Sequence, residues 1–218
     1  MDLVIIGGGR HAQVVRSCLD AVGNRIIGIV DDRLPAGTMA EDLTVLGPLD
    51  ALPDLRSQHL ALGGVIAVGD NHARRQITER VEAMLPGFRW VAAIHPSAII
   101  APTARIAAGT VVVAGAIINC HAVIGRHALI NTGSIIDHDT VMGEFASTGP
   151  GVVTGGNVVI GKDSHIGLGA VIAHGVAIGA GSIIGGNAYV CRDVPDHVVS
   201  YGSPARIIRS RSDGERYL

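Results

Sequence analysis

The sequence is poor in aromatic and in charged residues. Phe, Tyr and Trp together make up 3% of its 218 positions and charged residues 17%, against roughly 25% charged residues in ordinary soluble domains. Hydrophobic residues nevertheless reach 48%, so the chain is too apolar to be disordered. With so few rings, aliphatic side chains must bury most of the apolar area.

The scarcity of cysteine, of long apolar runs and of net charge disfavours several classes of protein. The three cysteines (Cys18, Cys120, Cys191) are an odd number and lie far apart, which argues for a reducing compartment and against a disulfide framework. No apolar run approaches the roughly 20 residues of a membrane span, and no basic segment of a signal peptide precedes the first apolar residues. The net charge of −2 argues against a general binder of nucleic acid or membrane surfaces. We therefore expect a cytoplasmic protein, with the basic stretch Arg206–Arg211 as a solvated tail.

Glycine is in excess, at 30 positions, and a six-residue repeat accompanies it. Every sixth residue from Ile94 to Val190 is a lead position, and 15 of these 17 leads are apolar. The residue four places after each lead is always small or β-branched. A period of six fits neither an α-helix nor a two-sided strand. It favours a β-helix, whose short strands stack the leads about 4.8 Å apart.

Glycines directly after the leads are expected to supply turn conformations that other residues resist. They are Gly125, Gly143, Gly161, Gly167, Gly179 and Gly185.

The first 90 residues follow a different pattern, in which strands and helices alternate. We expect strands at Leu3–Ile6, Ile26–Val30 and Gly64–Val68, and helices at Gln13–Ala21 and Arg74–Met84. Such alternation is typical of a parallel α/β sheet.

A glycine-rich turn follows the first of these strands. Gly7-x-Gly9-x-x-Ala12 matches the relaxed dinucleotide-binding fingerprint, and Asp31 lies near where a ribose-binding acid belongs. About 90 residues hold one of the two halves that a dinucleotide needs, so we expect a half-Rossmann unit that binds a nucleotide carrying a sugar. The predicted contacts are Gly8, Gly9, Arg10, His11, Asp31, Asp32 and Asn71.

The two parts together resemble a known family. The hexads resemble those of hexapeptide-repeat acyltransferases, and the segment Gly202-Ser203-Pro204-Ala205-Arg206 is similar to the C-terminal signature of that family. With the glycine-rich unit in front, the chain resembles the bacterial sugar O- and N-acetyltransferases. These include the nucleotide-amino-sugar N-acetyltransferases acting on perosamine or bacillosamine precursors, and the sialic acid O-acetyltransferases.

The resemblance implies two domains and an assembly. Residues 1–92 would form the sugar-nucleotide-binding half-Rossmann unit. Residues 93–218 would form a left-handed parallel β-helix, a triangular prism with three hexads per coil. The resemblance also implies a homotrimer with active sites between subunits.

His138 is the predicted catalytic base. It lies two places after a lead, so its side chain should point outward, and Asp137 and Asp139 on either side should favour its cationic form. Acetyl transfer requires a base that takes a proton from the attacking amine or hydroxyl. In the resembled family the matching histidine is that base and the following acid raises its basicity, which implies catalytic roles for His138 and Asp139.

Acetyl-CoA is the cosubstrate that the resemblance implies, with turn-backbone contacts at Gly156, Leu168 and Gly186. Nine residues after the base the family carries a second histidine that contacts acetyl-CoA, and here the residue is Ser147. A serine can hydrogen-bond to the thioester carbonyl or the pantetheine amide, but not as a cation.

The expected activity is direct transfer of acetyl from acetyl-CoA to the amine of a nucleotide-linked amino sugar, in surface-polysaccharide or glycan biosynthesis. O-acetylation of a sialic-acid-like sugar is an alternative, and a non-catalytic sugar-nucleotide-binding or scaffold trimer is another. A dehydrogenase is disfavoured because the second nucleotide half is missing.

Two other constellations deserve weighing. Cys120, one coil below His138, leaves an acyl-cysteine route open. Zinc is suggested by His121, His127, His138, His165 and His174. His138 and His174 are two coils apart, however, or roughly 9–10 Å, too far for one ion with bonds near 2.1 Å. That distance applies within one subunit, and ligation between subunits is left as an alternative. We expect no metal.

Overall fold

The computed structural model describes residues 1–19, 25–40 and 42–217. The first unit is a six-stranded sheet of order β3-β4-β2-β1-β5-β6, in which β3 is antiparallel and the others are parallel. Its strands are β1 Asp2–Ile6, β2 Arg25–Val30, β3 Met39–Ala40, β4 Leu43–Gly47, β5 Leu62–Ile66 and β6 Arg89–Trp90. Its helices are α1 His11–Leu19, α2 Leu52–Gln58 and α3 Asn71–Met84, with a 3-10 helix at Leu49–Ala51. Within the described ranges, no helix combines the length and apolar character needed to cross a bilayer.

The expected strands and helices of this unit are present, but several ends differ. The third strand is Leu62–Ile66 instead of Gly64–Val68. Its two glycines lie inside the strand because neighbours leave no room for side chains: an ideal Cβ at Gly64 would lie 3.0 Å from the Phe88 ring. Helix α1 begins at His11, before the expected start, and its expected end, Ala21, lies outside the described residues. The β3–β4 hairpin, α2 and β6 were not expected from the sequence.

The second unit contains a two-residue strand in every hexad, and each lead is the second residue of its strand. These strands are β7 Ala93–Ile94, β8 Ile99–Ile100, β9 Arg105–Ile106, β10 Val111–Val112, β11 Ile117–Ile118, β12 Val123–Ile124, β13 Leu129–Ile130, β14 Ile135–Ile136, β15 Val141–Met142, β16 Ser147–Thr148, β17 Val153–Thr154, β18 Val159–Ile160, β19 His165–Ile166, β20 Val171–Ile172, β21 Ala177–Ile178, β22 Ile183–Ile184 and β23 Tyr189–Val190.

Each strand from β7 to β20 pairs in parallel with the strand three hexads further on, as Val111 pairs with Leu129. The result is a prism with three faces. The first face contains β7, β10, β13, β16, β19 and β22. The second contains β8, β11, β14, β17, β20 and β23, and the third contains β9, β12, β15, β18 and β21. The stacked parallel strands confirm the expected left-handed β-helix after a Rossmann-like unit.

The leads fill the interior of the prism. Ile118, Ile130 and Ile136 have no exposed surface, and even the two polar leads, Thr148 and Thr154, are buried. Each Thr hydroxyl accepts a hydrogen bond from a main-chain N–H of the coil below, so its burial leaves that group partnered. Aliphatic ladders thus replace the aromatic contacts that the composition lacks.

The expected role of the glycines after the leads is wrong. Their φ angles are not left-handed; instead the next coil lies against them, since an ideal Cβ at Gly143 would lie 2.5 Å from the Lys162 nitrogen. The left-handed conformation occurs two residues later in the hexad, at Gly133 (φ 64°) or Asp139 (φ 56°), for example. Asn, Asp and His share that position with glycine because polar side chains tolerate it better than most, and Phe145 (φ 57°) is an apolar exception.

Helix α1 lies between the α/β sheet and the first face of the prism. Val15 and Leu19 of α1 are buried in one cluster with Val111 and Leu129 of that face. The outer side of the first face is therefore core, although the outer sides of the other two faces are open to solvent.

Arg74 of α3 lies at the seam between the two units and is 2% exposed. Its guanidinium uses all five N–H donors. Nε donates to His127 O (2.7 Å), Nη1 to the carbonyls of Val68 (3.0 Å) and Gly69 (2.9 Å), and Nη2 to Phe145 O and to the side-chain oxygen of Asn71, both at 2.8 Å. Burial lowers the pKa of Arg74 to about 10, so the group remains cationic at neutral pH.

The basic stretch expected to be a solvated tail is exposed at Arg206 and Arg209, but it is part of an ordered strand. Strands β24 Val198–Gly202 and β25 Ala205–Ser210 make an antiparallel hairpin that extends the first face. Residues 211–217, which we call the strap, then return to the seam. There Asp213 pairs with Arg75 of α3 at 3.0 Å and the Tyr217 hydroxyl lies 3.1 Å from the Asn71 nitrogen.

We expect Arg74→Met to lower the free energy of unfolding by at least about 3 kcal/mol, because it leaves several buried carbonyls without donors. Arg80→Met, also on α3, removes a half-exposed arginine that pairs with Asp32 and Asp50, and should cost about 1 kcal/mol or less. Urea unfolding followed by the fluorescence of Trp90, whose ring packs 4.7 Å from His127 at the seam, measures both. Equal losses for the two variants would contradict this role of Arg74.

Candidate active site

A cleft of about 600 Å³ opens at the carboxyl ends of β1, β2 and β5. Strands β2 and β5 lie on opposite sides of β1, so the cleft occupies the switch point at which open α/β sheets bind ligands. Its lining includes the predicted contacts Gly9, Arg10, His11, Asp31 and Asp32. Gly8 lines a smaller cavity of about 220 Å³ on the other side of the same turn.

Asp31 fixes the shape of the turn beside the cleft. One carboxylate oxygen accepts from the Gly8 nitrogen at 2.6 Å, and the other accepts from the nitrogens of Arg33 (2.7 Å) and Leu34 (3.1 Å). A carboxylate has about four lone-pair sites, so Asp31 can still accept one further hydrogen bond, for instance from a ribose hydroxyl.

The next residue, Asp32, anchors the opposite wall of the cleft. It pairs with Arg80 of α3 at 2.6 Å and accepts from the Leu49 nitrogen at 2.8 Å. Arg10 and Arg33 are exposed at the rim, where they offer positive charge to a phosphate.

His11 and Asn71 have different positions relative to the cleft. His11 lines it, and burial, aided by the charge of Arg74, lowers the pKa of its imidazole. Asn71 does not line it. Its side chain is 1% exposed and donates to the carbonyls of Asp163 (3.2 Å) and Ser164 (3.1 Å) of the prism, so it joins the two units.

His138 lies in a turn at the edge between the second and third faces, with its side chain 43% exposed. Its Nδ1 is 2.8 Å from a carboxylate oxygen of Asp139, and that hydrogen bond is the main cause of a raised pKa of the imidazole. Asp139 adopts a left-handed conformation (φ 56°), which brings its side chain back toward the ring. The pair is an exposed base with an orienting acid.

Asp137 has a structural part in this turn. Its carboxylate accepts from the His138 nitrogen and from the Asn119 side chain one coil below, both at 2.8 Å. These hydrogen bonds lower the pKa of Asp137, so it remains a fixed negative charge near His138. Asn119 was not predicted; its position 18 residues before Asp137 is the signal that identifies it.

Gly156 makes room for the His138 ring. An ideal Cβ at Gly156 would lie 2.5 Å from His138 Nε2. The absent side chain also brings the ring of His174 closer to that of His138. His174 lies one coil beyond Gly156 and two coils beyond His138, and the two ring centroids are 6.3 Å apart instead of the expected 9–10 Å. In the described part of the chain, no group of three or more His, Cys, Asp and Glu side chains is arranged to hold a metal.

The other predicted contacts of acetyl-CoA lie elsewhere on the prism. Leu168 is 58% exposed, and Gly186 follows it one coil further along the edge between the first and second faces, where an ideal Cβ would lie 3.3 Å from Leu168 O.

Ser147 lies on the first face and is 1% exposed. Its Oγ is 2.8 Å from Nδ1 of His165, the residue one coil further in the same column, and the Tyr217 ring stacks on His165 at 4.5 Å. His165 and Tyr217 were not predicted as site residues; the spacing of 18 residues from Ser147 points to His165, but no pattern indicates the docking of Tyr217.

Comparison with known proteins agrees with this architecture. The domain family described as the PglD N-terminal domain matches residues 2–81. The UDP-N-acetylbacillosamine N-acetyltransferase of Bacillus subtilis is 36% identical over 100 residues, which span 45% of this chain and 45% of that protein.

Solved structures match nearly the whole chain. A histidine-to-alanine variant of GDP-perosamine N-acetyltransferase from Caulobacter crescentus, in complex with CoA and GDP-perosamine, is 39% identical, with a TM-score of 0.89 over 96% of this chain and 98% of that one. The acetyltransferase domain of PglB from Neisseria gonorrhoeae, in complex with acetyl coenzyme A, is 34% identical, with a TM-score of 0.86 over 95% of this chain and 98% of that domain. The chain belongs to the family of nucleotide-amino-sugar N-acetyltransferases.

Proposed function

We propose that this protein transfers the acetyl group of acetyl-CoA to the amine of a nucleotide-linked amino sugar. The observation that carries the proposal is the pair His138–Asp139, an exposed base with a raised pKa, in a chain that also has a nucleotide-sized cleft. The related C. crescentus enzyme in complex with CoA and GDP-perosamine supports both ligand classes.

The mechanism is direct transfer. The amine nitrogen attacks the acetyl carbon, its proton passes to His138 Nε2, and the hydrogen bond from Nδ1 to Asp139 stabilises the imidazolium that forms. The C–N bond forms first, as the C=O π electrons move onto oxygen, and the C–S bond breaks when this tetrahedral adduct collapses. The proton held by His138 then neutralises the departing CoA thiolate. The products are the N-acetyl sugar and free CoA, and no enzyme nucleophile takes part.

The site requires two copies of the chain. The N-terminal unit packs on the first face of the prism, through α1, and His138 lies on the edge between the second and third faces. In a triangular prism that edge is opposite the first face, so the prism itself separates the cleft from His138 of the same chain. A sugar held in the cleft therefore meets His138 of a neighbouring copy.

Rows of exposed apolar side chains on the two open faces of the prism support such an assembly. On the second face Ile99, Val171 and Tyr189 are 64%, 42% and 43% exposed, and on the third face Val141 and Val159 are 44% and 46% exposed. Aligned apolar side chains of this kind mark protein interfaces. In a closed ring each subunit contacts two neighbours, and the two open faces of the prism can provide those two interfaces. We therefore propose the homotrimer implied by the family.

We expect CoA release from acetyl-CoA when the protein is given a UDP-, GDP- or dTDP-linked amino sugar, because the amine is the nucleophile. A thiol-capture assay over a panel of these donors, with the corresponding hydroxyl sugars and free sialic acids as controls, measures it. Turnover with a hydroxyl acceptor and none with any aminated one would overturn N-acetylation in favour of O-acetylation.

We expect His138→Ala to lower kcat by about 10²-fold or more, because general-base catalysis contributes about 10² to 10⁴. Asp139→Asn should move the acid limb of the kcat profile to lower pH, since loss of the carboxylate lowers the pKa below which His138 is protonated and inactive. It should also lower the rate on the plateau, because the base is weaker. Cys120→Ser, one coil below, is the control and should match the wild type. A rate that depends on Cys120 would instead indicate an acyl-cysteine.

A chain with a blocked cleft and a chain without the catalytic base should complement each other in a mixed assembly. Gly9→Phe fills the cleft, since an ideal Cβ at Gly9 meets nothing within 4 Å, and should abolish activity, whereas Gly9→Ala should retain it. Co-expressed Gly9→Phe and His138→Ala chains should regain part of the wild-type activity, because some interfaces pair an intact cleft with an intact base. Mixed assemblies that stay as inactive as either parent would show that each site lies within one chain.

A further inference from the structure

His174 faces the reactive nitrogen of the proposed base from two coils further along the same edge of the prism. Its ring centroid is 6.3 Å from that of His138, with 50° between the ring planes. The coil between them carries Gly156, and an ideal Cβ there would lie 2.5 Å from Nε2 of His138. The Nε2 edge of His138 therefore lies over this glycine, on the side toward His174.

The two rings border a gap at the surface. Gly155 and Gly156 provide its floor, because neither has a side chain to fill it. His138 keeps 43% of its side chain exposed, and His174 is exposed as well. In the part of the chain that the structure describes, neither nitrogen of His174 makes a hydrogen bond, and His138 makes one only through Nδ1. A ligand that enters the gap therefore meets free imidazole nitrogens on two sides.

The width of the gap distinguishes an amine from a metal ion. An amine nitrogen that donates two hydrogen bonds of about 2.9–3.0 Å, roughly 107° apart, would hold two imidazole centroids roughly 6.5 Å apart. A tetrahedral zinc ion with bonds near 2.1 Å would hold them only roughly 5 Å apart. The observed separation of 6.3 Å fits the amine.

Only one of the two imidazoles is paired with an acid. Nδ1 of His138 is 2.8 Å from Asp139, and that hydrogen bond raises the pKa of the ring. Among the described residues no carboxylate bonds to His174. His138 is therefore the ring suited to take a proton, whereas the neutral form of His174 offers a lone pair that accepts a hydrogen bond. Asp137 acts electrostatically on both rings, which favours positive charge on a nitrogen held between them.

We propose that His174 is a specificity-determining residue, whose neutral imidazole accepts the second N–H of the acceptor amine while His138 accepts the first, so that the site selects an amine over a hydroxyl. This inference deepens the proposed function and rests on it.

Two acceptors orient the nucleophile. A primary amine has two N–H bonds and one lone pair, so fixing both hydrogens also fixes the direction from which the lone pair attacks the acetyl carbon. As the C–N bond forms, the C=O π electrons move onto oxygen and the nitrogen becomes positive. His138 takes one proton, whose bonding pair stays on nitrogen, and the hydrogen held by His174 remains as the N–H of the amide product. A hydroxyl has a single proton, which His138 takes, so it offers His174 nothing to accept.

We expect His174→Phe, which keeps a ring but removes the acceptor, to lower kcat/KM for the aminated sugar nucleotide by about 10- to 10²-fold. A hydrogen bond is lost and the nucleophile is less well oriented. KM for acetyl-CoA should stay within about twofold. His174→Asn and His174→Gln each place an amide oxygen near one of the two ring nitrogens, and at least one of them should recover most of the loss. His121→Phe, an exposed histidine of the same edge one coil before Asp139, is the matched control and should equal the wild type.

The same variants should separate amines from hydroxyls. With enzyme in excess over substrate, transfer to the corresponding hydroxyl sugar nucleotide should change by less than about twofold in His174→Phe, because the hydroxyl has no second hydrogen to donate. The ratio of the amine rate to the hydroxyl rate should therefore fall by the factor lost with the amine.

Three results would overturn the role of His174. One is a kcat/KM of His174→Phe within twofold of the wild type for the amine. Another is that His174→Asn and His174→Gln are both as slow as His174→Phe at an unchanged urea midpoint, which would show that the ring only fills space. The third is an equal loss with the amine and the hydroxyl. If the wild-type protein itself acetylates no aminated sugar nucleotide, the proposed function fails instead, so the two failures are distinct.

Discussion

The contact between the two units depends on one buried cation. Arg74 carries a full positive charge into a seam where it is 2% exposed, and no carboxylate bonds to it among the described residues. Burying a charge is costly unless it is fully hydrogen-bonded, and here five oxygens complete the set. Since a guanidinium is planar, oxygens from both units must lie close to one plane. The arginine therefore fixes how the cleft is oriented on the prism.

The prism provides the oxygens because of how its corners are built. In each coil the N–H of the left-handed corner residue bonds to the carbonyl of the residue just before the corner one coil below, as Phe145 N bonds to Arg126 O. The carbonyl of the corner residue itself is left over. Along the edge between the third and first faces these carbonyls form a row, which is covered by Arg74 (at His127 and Phe145), Asn71 (at Asp163) and Arg211 (at Gly181). Helix α3 and the strap thus satisfy groups that a bare prism would leave to water.

The part of the fold that repeats could be predicted from the sequence, and the part that joins the units could not. A lead at every sixth residue gives the strands, the faces and the column of each side chain, because an 18-residue coil turns sequence separation into spatial position. That logic places Asn119 and Asp137 next to each other. Arg74 and Asn71 carry no comparable signal: a polar residue on a helix has the same local pattern whether it faces solvent, a ligand or a second unit. For that reason Asn71 was expected to contact the nucleotide.

The glycines after the leads show that a sequence pattern can be recognised correctly while its physical cause is assigned wrongly. Glycine after a lead was expected to allow an unusual φ, but a Cβ there would collide with the backbone of the next coil. The atoms that a Cβ would meet belong to the next coil and not to the glycine's own hexad. The residue type at one position of the hexad therefore cannot reveal this cause. His138 was identifiable because its partner Asp139 is adjacent in sequence, whereas His165 depends on a residue one coil away and on Tyr217 from the end of the chain.

A prism tolerates movement of a functional group in a way that a loop does not. Moving a side chain by one coil, or 18 residues along the sequence, shifts it by about 4.8 Å along the prism axis. The direction and the column of the side chain do not change, so it still points at the same groove. The first face keeps an imidazole in the column of Ser147, one coil further, and the serine hydrogen-bonds to it. Substitution at Ser147 therefore need not remove an imidazole from the seam.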